Sequence, residues 1–233
     1  MIASIIWRSV AAIVIGYVLG SIPWGVIISR RFAKVDVRDY GSGKMGTTNV
    51  LRVAGKKAAL LVAFLDVLKG ALAVGICWFM LRGEYNVGVH SFEWWLLRIA
   101  PVLVGLAAVA GHTWPIFLKF RGGRGVATFY GGLCALCPPV ALVTGLVAVL
   151  GASLSRFVSL ASIIGAVTAY VILVPLTIIN HFPIEYLFYA LMGAVFIILT
   201  HRDNIGRLLA GRERRLGERV QVARSPSGKM GTR

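Results

Sequence analysis

The chain has 233 residues, of which 58% are hydrophobic and 15% are charged, and its mean hydropathy is +0.79. Lys and Arg nevertheless outnumber Asp and Glu by 25 to 9, giving a formal net charge of +16. This composition excludes a soluble enzyme, a disordered chain and a secreted disulfide scaffold, and is typical of an integral membrane protein with basic loops. The three cysteines lie in apolar stretches, where we expect them to pack between helices.

Three segments hold almost all of the net charge. Residues 30–57 carry a net charge of +6, residues 111–125 carry +3 and residues 201–233 carry +6. By the positive-inside rule, all three are expected on the cytoplasmic side of a membrane. Apolar runs of membrane length separate these segments, so we expect no surface for nucleic acid.

Apolar runs of membrane length predict the helices. A transmembrane helix needs about 20 residues to cross about 30 Å of hydrocarbon. The uncharged run 125–155 has 31 residues and is interrupted by Pro138 and Pro139, which disfavour a continuous helix. We therefore divide it into two short crossings or a re-entrant pair. The other predicted spans are 9–29, 58–81, 99–118, 157–184 and 186–200.

Seven crossings also satisfy the charge distribution. A cytoplasmic first basic segment places the N-terminus outside, and a cytoplasmic C-terminal segment then requires an odd number of crossings. Residues 153–159, which include Arg156, fall on the cytoplasmic side in this arrangement. The sequence thus predicts an all-α integral membrane protein, a polytopic bundle of seven transmembrane helices with its N-terminus outside and its C-terminus cytoplasmic.

The first basic segment contains DYGSGKMGTTNVLR at 39–52. Its glycines let backbone N–H groups approach an anion, and Arg52 adds a planar set of donors. It is not a Walker A loop, because Met45 follows Gly43–Lys44. From the residues alone, an anion-binding loop and a flexible connection are equally good interpretations.

The second segment, GHTWPIFLKFRGGRGVAT at 111–128, places glycines around Arg124 ahead of a predicted helix. Backbone amides at a helix N-terminus together with an arginine make an anion site. His112 lies in an apolar context, where it is either a base or a structural histidine. Asp66 and Lys69, three residues apart on an apolar helix, are predicted to form a structural ion pair.

The third segment contains THRDNIGRLLAGRERR at 200–215. His201 and Asn204 share a predicted helix face, and Glu213 follows nine residues after Asn204. A basic helix lying on anionic lipid explains most of the arginines, but it does not explain His201 and Asn204.

Together, GSGKMGTTNVLRVAGKKAA, GHTWPIFLKFRGGRGVAT and HRDNIGRL resemble the signature segments of the bacterial acyl-phosphate-dependent glycerol-3-phosphate acyltransferases, the PlsY-type enzymes. GSIPWG, LDVLKG and SLASI add matches in the same order, so the resemblance covers residues 20–213. It implies transfer of an acyl group from acyl phosphate to the 1-hydroxyl of sn-glycerol 3-phosphate. The products are lysophosphatidic acid and phosphate, in the first step of phospholipid synthesis.

The resemblance also implies roles for individual residues. The expected catalytic residues are Ser42, Arg52, His201 and Asn204. The expected residues for binding the substrates and their phosphates are Gly41, Gly43, Lys44, Gly46, Thr48, Asn49, Gly122, Gly123, Arg124, Gly125 and Ser159. The residues expected to support the site structurally are Asp66, Lys69, His112 and Glu213.

Two positions depart from the usual family pattern. Lys44 stands where the family usually has Asn, and Arg124 stands where it usually has Lys. Arginine keeps the charge and still binds phosphate. Lys44 adds a charge, which either holds a phosphate or alters the positioning of the acyl donor.

Acyl phosphate carries a good leaving group, so the site needs positioning and charge stabilisation more than a strong nucleophile. The H-x-x-x-x-D pair of other glycerolipid acyltransferases is absent from the sequence. Either His201 or a substrate phosphate accepts the hydroxyl proton. We favour the phosphate, because the surrounding positive charge lowers the basicity of His201. No metal or other cofactor is expected.

The resemblance implies a multi-pass enzyme of the bacterial inner membrane, with its site facing the cytoplasm. We expect a monomer in contact with membrane lipid, linked functionally to the enzyme that makes acyl phosphate. Residues 1–213 are predicted to form one transmembrane catalytic domain. Residues 214–233 are predicted to form a basic, disordered tail, in which SGKMGT recurs at 227–232.

The alternative function is a small transporter or channel for an anionic phosphorylated solute. Breaks at proline and glycine and the intramembrane Asp66 fit that alternative. The absence of an internal repeat of spans and the clustering of polar residues on one side of the membrane oppose it.

Overall fold

The structure, a computed structural model, describes residues 1–84, 86–179 and 181–218. In these ranges the chain contains no β-strand and folds into α-helices joined by short loops. Residues 219–233, which make up most of the predicted tail, lie outside the described residues. The helices are α1 (Ile2–Ser21), α2 (Trp24–Ala33), α3 (Thr47–Leu81), α4 (Phe92–Thr113), α5 (Val126–Leu136), α6 (Pro138–Ser155), α7 (Val158–Ile178), α8 (Ile184–Thr200) and α9 (Arg202–Leu209).

The helices are those of an integral membrane protein. Five stretches are long and apolar enough to cross a membrane, and they contain α1 with α2, α3, α4, α6 and α7. A sixth candidate consists of α8 and α9, which are bent by 62°. α5 has 11 residues, or about 16 Å of helix, which is short for a hydrocarbon layer of about 30 Å. The all-α membrane bundle is confirmed, whereas the described residues supply five or six candidate spans and do not confirm seven.

Two prolines divide the apolar runs. The predicted break in the 125–155 run is confirmed, because α6 begins at Pro138. The 9–29 run, predicted as one span, lies within one candidate span, residues 2–33, which Pro23 divides into α1 and α2. Proline has no N–H to donate and restricts the residue before it, so a helix commonly ends there.

Side-chain contacts show how the helices run. At the start of α1, Ser4 Oγ donates to Glu84, just after α3, at 2.8 Å. Near the end of α1, the Tyr17 hydroxyl donates to the Trp114 carbonyl, just after α4, at 2.7 Å. The two termini of α1 therefore lie at opposite ends of the bundle. The end of the bundle at the C-terminus of α1 is called the polar end. It contains the loops and terminal segments formed by residues 34–46, 114–125, 156–157 and 201–218.

α3 and α5 approach each other at two glycines. A Cβ on Gly70 would overlap the carbonyl oxygen of Thr128, and a Cβ on Gly131 would overlap that of Val67. Small residues let helix backbones come this close in a membrane, where packing holds helices together. The contact fixes α5, and the loop before it, against α3.

Gly70→Ala is expected to destabilise the bundle by about 1–3 kcal/mol, because the two backbones must separate to admit the methyl group. Gly75→Ala on the same helix is the matched control, since no atom lies within 4 Å of a Cβ there. Thermal unfolding of both variants in detergent measures the difference. Equal stability would contradict the close contact between α3 and α5.

Candidate active site

A cavity of about 360 Å³ opens at the polar end and continues between the helices. Its polar side is lined by Ser42, Lys44, Gly46, Thr47, Thr48, Asn49, Arg52, Asp66, His112, Arg124, Gly125, Ser159, Ser162, His201, Asn204, Glu213 and Arg214. Its apolar side is lined by Ala63, Val67, Val126, Ala127, Tyr130, Gly145, Ala148, Val149 and Val158. Polar residues from four distant parts of the sequence thus meet an apolar groove formed by α3, α5, α6 and α7.

Most of the residues predicted for the site line this cavity. The exceptions are Gly41, Gly43, Lys69, Gly122 and Gly123. Sequence reasoning did not select Arg214, Ser162 or the apolar side. On α6, the lining residues Gly145, Ala148 and Val149 are spaced three or four apart, and this spacing is the signal that marks the apolar groove, since such residues share one helix face.

Asn49 organises the first loop. Its Nδ2 lies within hydrogen-bond distance of the carbonyl oxygens of Val37 (2.9 Å), Tyr40 (3.0 Å) and Lys44 (2.9 Å). Its Oδ1 accepts from the Ser42 backbone N–H at 3.0 Å. The amide is therefore occupied by the loop itself, and it holds Ser42 and Lys44 at the edge of the cavity.

Two glycines give the same loop its tight turn. Gly41 and Gly43 have φ values of 61° and 67°, in the left-handed region that glycine adopts without steric cost. The Gly43 N–H donates to the Tyr40 carbonyl at 3.1 Å. These glycines shape the loop, while Gly46 and Thr48 line the cavity.

Arg52 lies on the first turns of α3, before a break in the helix. Gly55 has φ 85° and ψ −179°, so residues 47–54 form a separate helical piece. Arg52 Nε is buried and has no hydrogen-bond partner among the described residues. A buried guanidinium N–H without a partner is a donor available to a bound anion.

The second loop lies along the end of α4. The Gly122 N–H donates to the Thr113 carbonyl at 3.1 Å, and the Gly123 N–H donates to the His112 carbonyl at 3.0 Å. A Cβ on Gly123 would overlap the His112 imidazole. The two glycines therefore let the loop backbone approach α4. The expectation that they bring backbone N–H groups to an anion is not met, because both N–H groups are used by α4.

Arg124 projects from this loop into the cavity. Its Nε is buried without a hydrogen-bond partner in the part of the chain that the structure describes. Burial lowers the pKa of Arg124 to about 10, so the guanidinium stays charged at neutral pH. The loop is tied to α8, because Thr200 Oγ1 donates to the Arg124 carbonyl at 3.2 Å.

A buried polar network lies below the second loop. Lys69 Nζ lies 2.9 Å from Asp66 Oδ1 and donates to the Ile22 carbonyl at 3.1 Å. His112 Nδ1 lies 3.4 Å from the same Asp66 oxygen. The predicted ion pair thus forms, and it connects α3 to the break between α1 and α2 and to the end of α4.

His201 occupies the corner between α8 and α9. Its Nδ1 lies 2.8 Å from the Ile197 carbonyl oxygen. We therefore assign the proton of the neutral ring to Nδ1, which leaves Nε2 as an acceptor. Burial and, next, the Arg124 guanidinium lower the pKa of His201 to about 4. The imidazole is consequently neutral at pH 7.

Glu213 joins the third segment to α7. It accepts hydrogen bonds from Ser159 Oγ (3.0 Å), Asn204 Nδ2 (2.6 Å) and Arg207 Nε (2.8 Å). Burial alone would raise the pKa of Glu213, but these hydrogen bonds lower it overall. Since a carboxylate only accepts, the amide of Asn204 is oriented with its Nδ2 toward Glu213.

Asn204 consequently presents its oxygen to the site. Asn204 Oδ1 is buried without a hydrogen-bond partner among the described residues. In the described ranges of the chain, the site thus holds two acceptors without a hydrogen-bond partner, Asn204 Oδ1 and His201 Nε2, beside unpartnered donors on Arg52 and Arg124. Among the described residues, no group of three or more His, Cys, Asp or Glu side chains is placed to hold a metal ion.

Known proteins resemble this chain over nearly its whole length. The sequence model described as glycerol-3-phosphate acyltransferase matches residues 10–211. Glycerol-3-phosphate acyltransferase 3 of Dehalococcoides mccartyi (strain CBDB1) is 54% identical, over 93% of this chain and 100% of its own length. Glycerol-3-phosphate acyltransferase of Shouchella clausii (strain KSM-K16) is 38% identical, over 90% of this chain and 97% of its own.

A solved structure shares the fold. The crystal structure of PlsY (YgiH), an integral membrane glycerol 3-phosphate acyltransferase in its glycerol 3-phosphate form, is 39% identical, with a TM-score of 0.76. The match covers 90% of this chain and 96% of the PlsY chain. Sequence, fold and cavity agree, and the chain belongs to the PlsY-type glycerol-3-phosphate acyltransferase family of integral membrane proteins.

Proposed function

We propose that the protein transfers a fatty acyl group from acyl phosphate to the 1-hydroxyl of sn-glycerol 3-phosphate. The observation that carries the proposal is one cavity in which unpaired basic side chains adjoin an apolar groove. The solved glycerol 3-phosphate and lysophosphatidic acid forms of PlsY support the acceptor and the product. Acyl phosphate as the donor follows from the resemblance of the three sequence motifs.

Each part of the cavity suits one part of the substrates. Arg52, Arg124 and Lys44 supply positive charge for phosphate groups, with Ser42 and Thr48 as further polar lining. The groove between α3, α5, α6 and α7 offers small and apolar side chains to an acyl chain. The reacting carbonyl lies at the boundary between the two parts.

The chemistry needs a hydroxyl oriented toward the acyl carbonyl. The acceptor oxygen attacks the carbonyl carbon, the bond from that carbon to the phosphate oxygen breaks, and phosphate leaves. Asn204 Oδ1 and His201 Nε2 are acceptors that orient the hydroxyl. Because the pKa of His201 is about 4, the departing phosphate, with a second pKa of about 6, is the better proton acceptor.

The catalytic domain comprises residues 1–213 and the segment directly after them that carries Arg214, and it works as a monomer without a cofactor. The protein lies in the bacterial inner membrane, with the polar end facing the cytoplasm and the N-terminus outside. α1 and α3 to α8 make seven crossings, of which the short α5 and α6 form a hairpin. Acyl phosphate is delivered by the enzyme that makes it.

The topology has a direct test. In a Cys134→Ala background, which removes the exposed native thiol, Ser153→Cys is expected to react with a membrane-impermeant reagent only in inside-out vesicles. Val89→Cys, at the opposite end of the bundle, is expected to react only in right-side-out vesicles. Labelling of both from one face would contradict the seven crossings, and the reverse pattern would contradict the orientation.

The activity is tested with protein purified in detergent. With palmitoyl phosphate and glycerol 3-phosphate, we expect equal amounts of phosphate and lysophosphatidic acid to form. Palmitoyl-coenzyme A replaces palmitoyl phosphate in the donor control, where we expect no product. Absence of phosphate release from the first mixture would contradict the proposal, and is the result that a transporter would give.

A further inference from the structure

The two carboxylates that line the cavity already have cations of their own. Asp66 pairs with Lys69 at 2.9 Å, and Glu213 pairs with Arg207 at 2.8 Å. The side chains of Asp66 and Glu213 are only 2% and 5% exposed. Each carboxylate is therefore engaged at ion-pair distance with its own cation, and Glu213 acts on Arg52 and Arg124 only from further away.

The cavity lining contains four further basic side chains, which are Lys44, Arg52, Arg124 and Arg214. Within the described residues, none of the four has a carboxylate at ion-pair distance. Glu218 and Glu213 attract Arg52 from a longer distance, and Glu213 and Asp203 attract Arg124 in the same way. Two phosphate groups carry a total of about −3 to −4 at neutral pH, which is close to the charge of four cations. The sequence motifs account for three of these cations and leave Arg214 without a role.

Arg214 lies on a segment that crosses the mouth of the cavity. Residues 212–216 pass from the end of α9 to the turn between α6 and α7. Glu213 anchors the segment on one side of Arg214 through Ser159 Oγ at 3.0 Å. Leu216 anchors it on the other side, where its N–H donates to the Arg156 carbonyl at 2.6 Å. With both flanks held, the Arg214 side chain forms part of the cavity wall.

The two neighbouring arginines differ from Arg214 in this respect. Arg212 and Arg215 are exposed, and neither lines the cavity. The three residues have the same side chain and the same effect on net charge. Arg215 also lies between the two anchors, so the feature that distinguishes Arg214 is that its side chain lines the cavity while that of Arg215 is exposed.

We propose that Arg214 binds the phosphate of one of the two substrates. The inference rests on the proposed acyltransferase function, because that reaction brings two phosphates into one cavity. Arg214 and Arg52 line the same cavity, so their two positive charges repel each other across it. A phosphate between them relieves this repulsion and accepts hydrogen bonds from planar donors on both residues.

The first experiment measures binding without turnover. Inorganic phosphate and glycerol 3-phosphate, added separately to the detergent-purified protein, are expected to raise its thermal unfolding temperature. Arg214→Ala is expected to reduce at least one of these shifts, while Arg212→Ala and Arg215→Ala keep both. If Arg214→Ala keeps both shifts in full, Arg214 does not bind the acceptor phosphate. The proposal then requires a higher KM for palmitoyl phosphate in the second experiment, and it is contradicted if that KM is unchanged.

The second experiment separates the two sources of phosphate. A charge-assisted hydrogen bond contributes about 1.5–3 kcal/mol, so Arg214→Ala is expected to raise one KM by about 10- to 100-fold with kcat nearly unchanged. A higher KM for glycerol 3-phosphate assigns Arg214 to the acceptor, and a higher KM for palmitoyl phosphate assigns it to the donor. Arg214→Lys keeps the charge and is expected to restore part of the affinity, which a purely structural role would not predict.

Two results separate this inference from the function on which it rests. If the parent protein binds phosphate but forms no lysophosphatidic acid, the proposed function is contradicted. If the parent turns over, and Arg214→Ala matches Arg215→Ala in both KM values and both thermal shifts, the role of Arg214 alone is contradicted.

Discussion

Arg124→Ala is expected to lower the kcat/KM of acyl transfer by about a hundred- to a thousandfold. The guanidinium is charged at neutral pH, since the pKa of Arg124 is about 10. Its Nε is buried with no partner among the described residues. Removing it takes from the cavity a buried donor and a positive charge, which the proposed reaction uses to stabilise phosphate. The measurement is steady-state kinetics with palmitoyl phosphate and glycerol 3-phosphate.

Two further variants serve as controls for that result, one on the same loop and one at position 124 itself. Arg121→Ala removes an exposed charge three residues away and is expected to keep near-parental activity. Arg124→Lys keeps the charge but loses the planar set of donors, and is expected to keep most of the activity. If Arg124→Ala were as active as Arg121→Ala, Arg124 would have no part in the site.

Asp66→Ala is expected to destabilise the folded protein by about 3–5 kcal/mol, because it leaves the ammonium of Lys69 buried without its partner. The side chains of Lys69 and Asp66 are only 3% and 2% exposed, so water does not replace the carboxylate. Thermal unfolding in detergent measures the loss. Circular dichroism of the variant at low temperature shows whether the helices still form.

The double variant Asp66→Asn/Lys69→Met is the matched control. It removes both charges and keeps similar volumes, so no buried charge is left without a partner. We expect the double variant to be more stable than Asp66→Ala. If it were less stable, the pair would contribute more than mutual neutralisation, for example through the hydrogen bond from Lys69 to Ile22.

Features that depend on local chemistry were predictable from the sequence. The break at Pro138 follows from a residue that lacks an N–H, and the pairing of Asp66 with Lys69 follows from helical spacing. The same reasoning applies at Pro23, but the break there was not predicted, because the apolar run 9–29 predicts one uninterrupted span. The length of α5 was harder to judge, because the half-run is apolar enough for a crossing but contains only 11 helical residues.

Features that depend on packing were not predictable. The glycines at 122 and 123 stood out in the sequence, but their neighbour in space is His112, ten residues earlier on α4. Arg214 looks the same as Arg212 and Arg215 in the sequence, and only the folded chain shows that Arg214 lines the cavity while the other two are exposed. A sequence shows which residue types are present, whereas their partners are decided by the folded chain.

The groove between α3, α5, α6 and α7 has a consequence for how the reaction is measured. Val149, on its rim, is 64% exposed on the outer face of α6, so the apolar part of the cavity adjoins the surrounding hydrocarbon. Binding of a lipid-like donor that enters there depends on its mole fraction in the bilayer or micelle. Binding of the aqueous acceptor depends on its molar concentration in water. Diluting the donor with inert detergent at constant bulk concentration should therefore slow turnover, while the saturation curve for the acceptor keeps its midpoint.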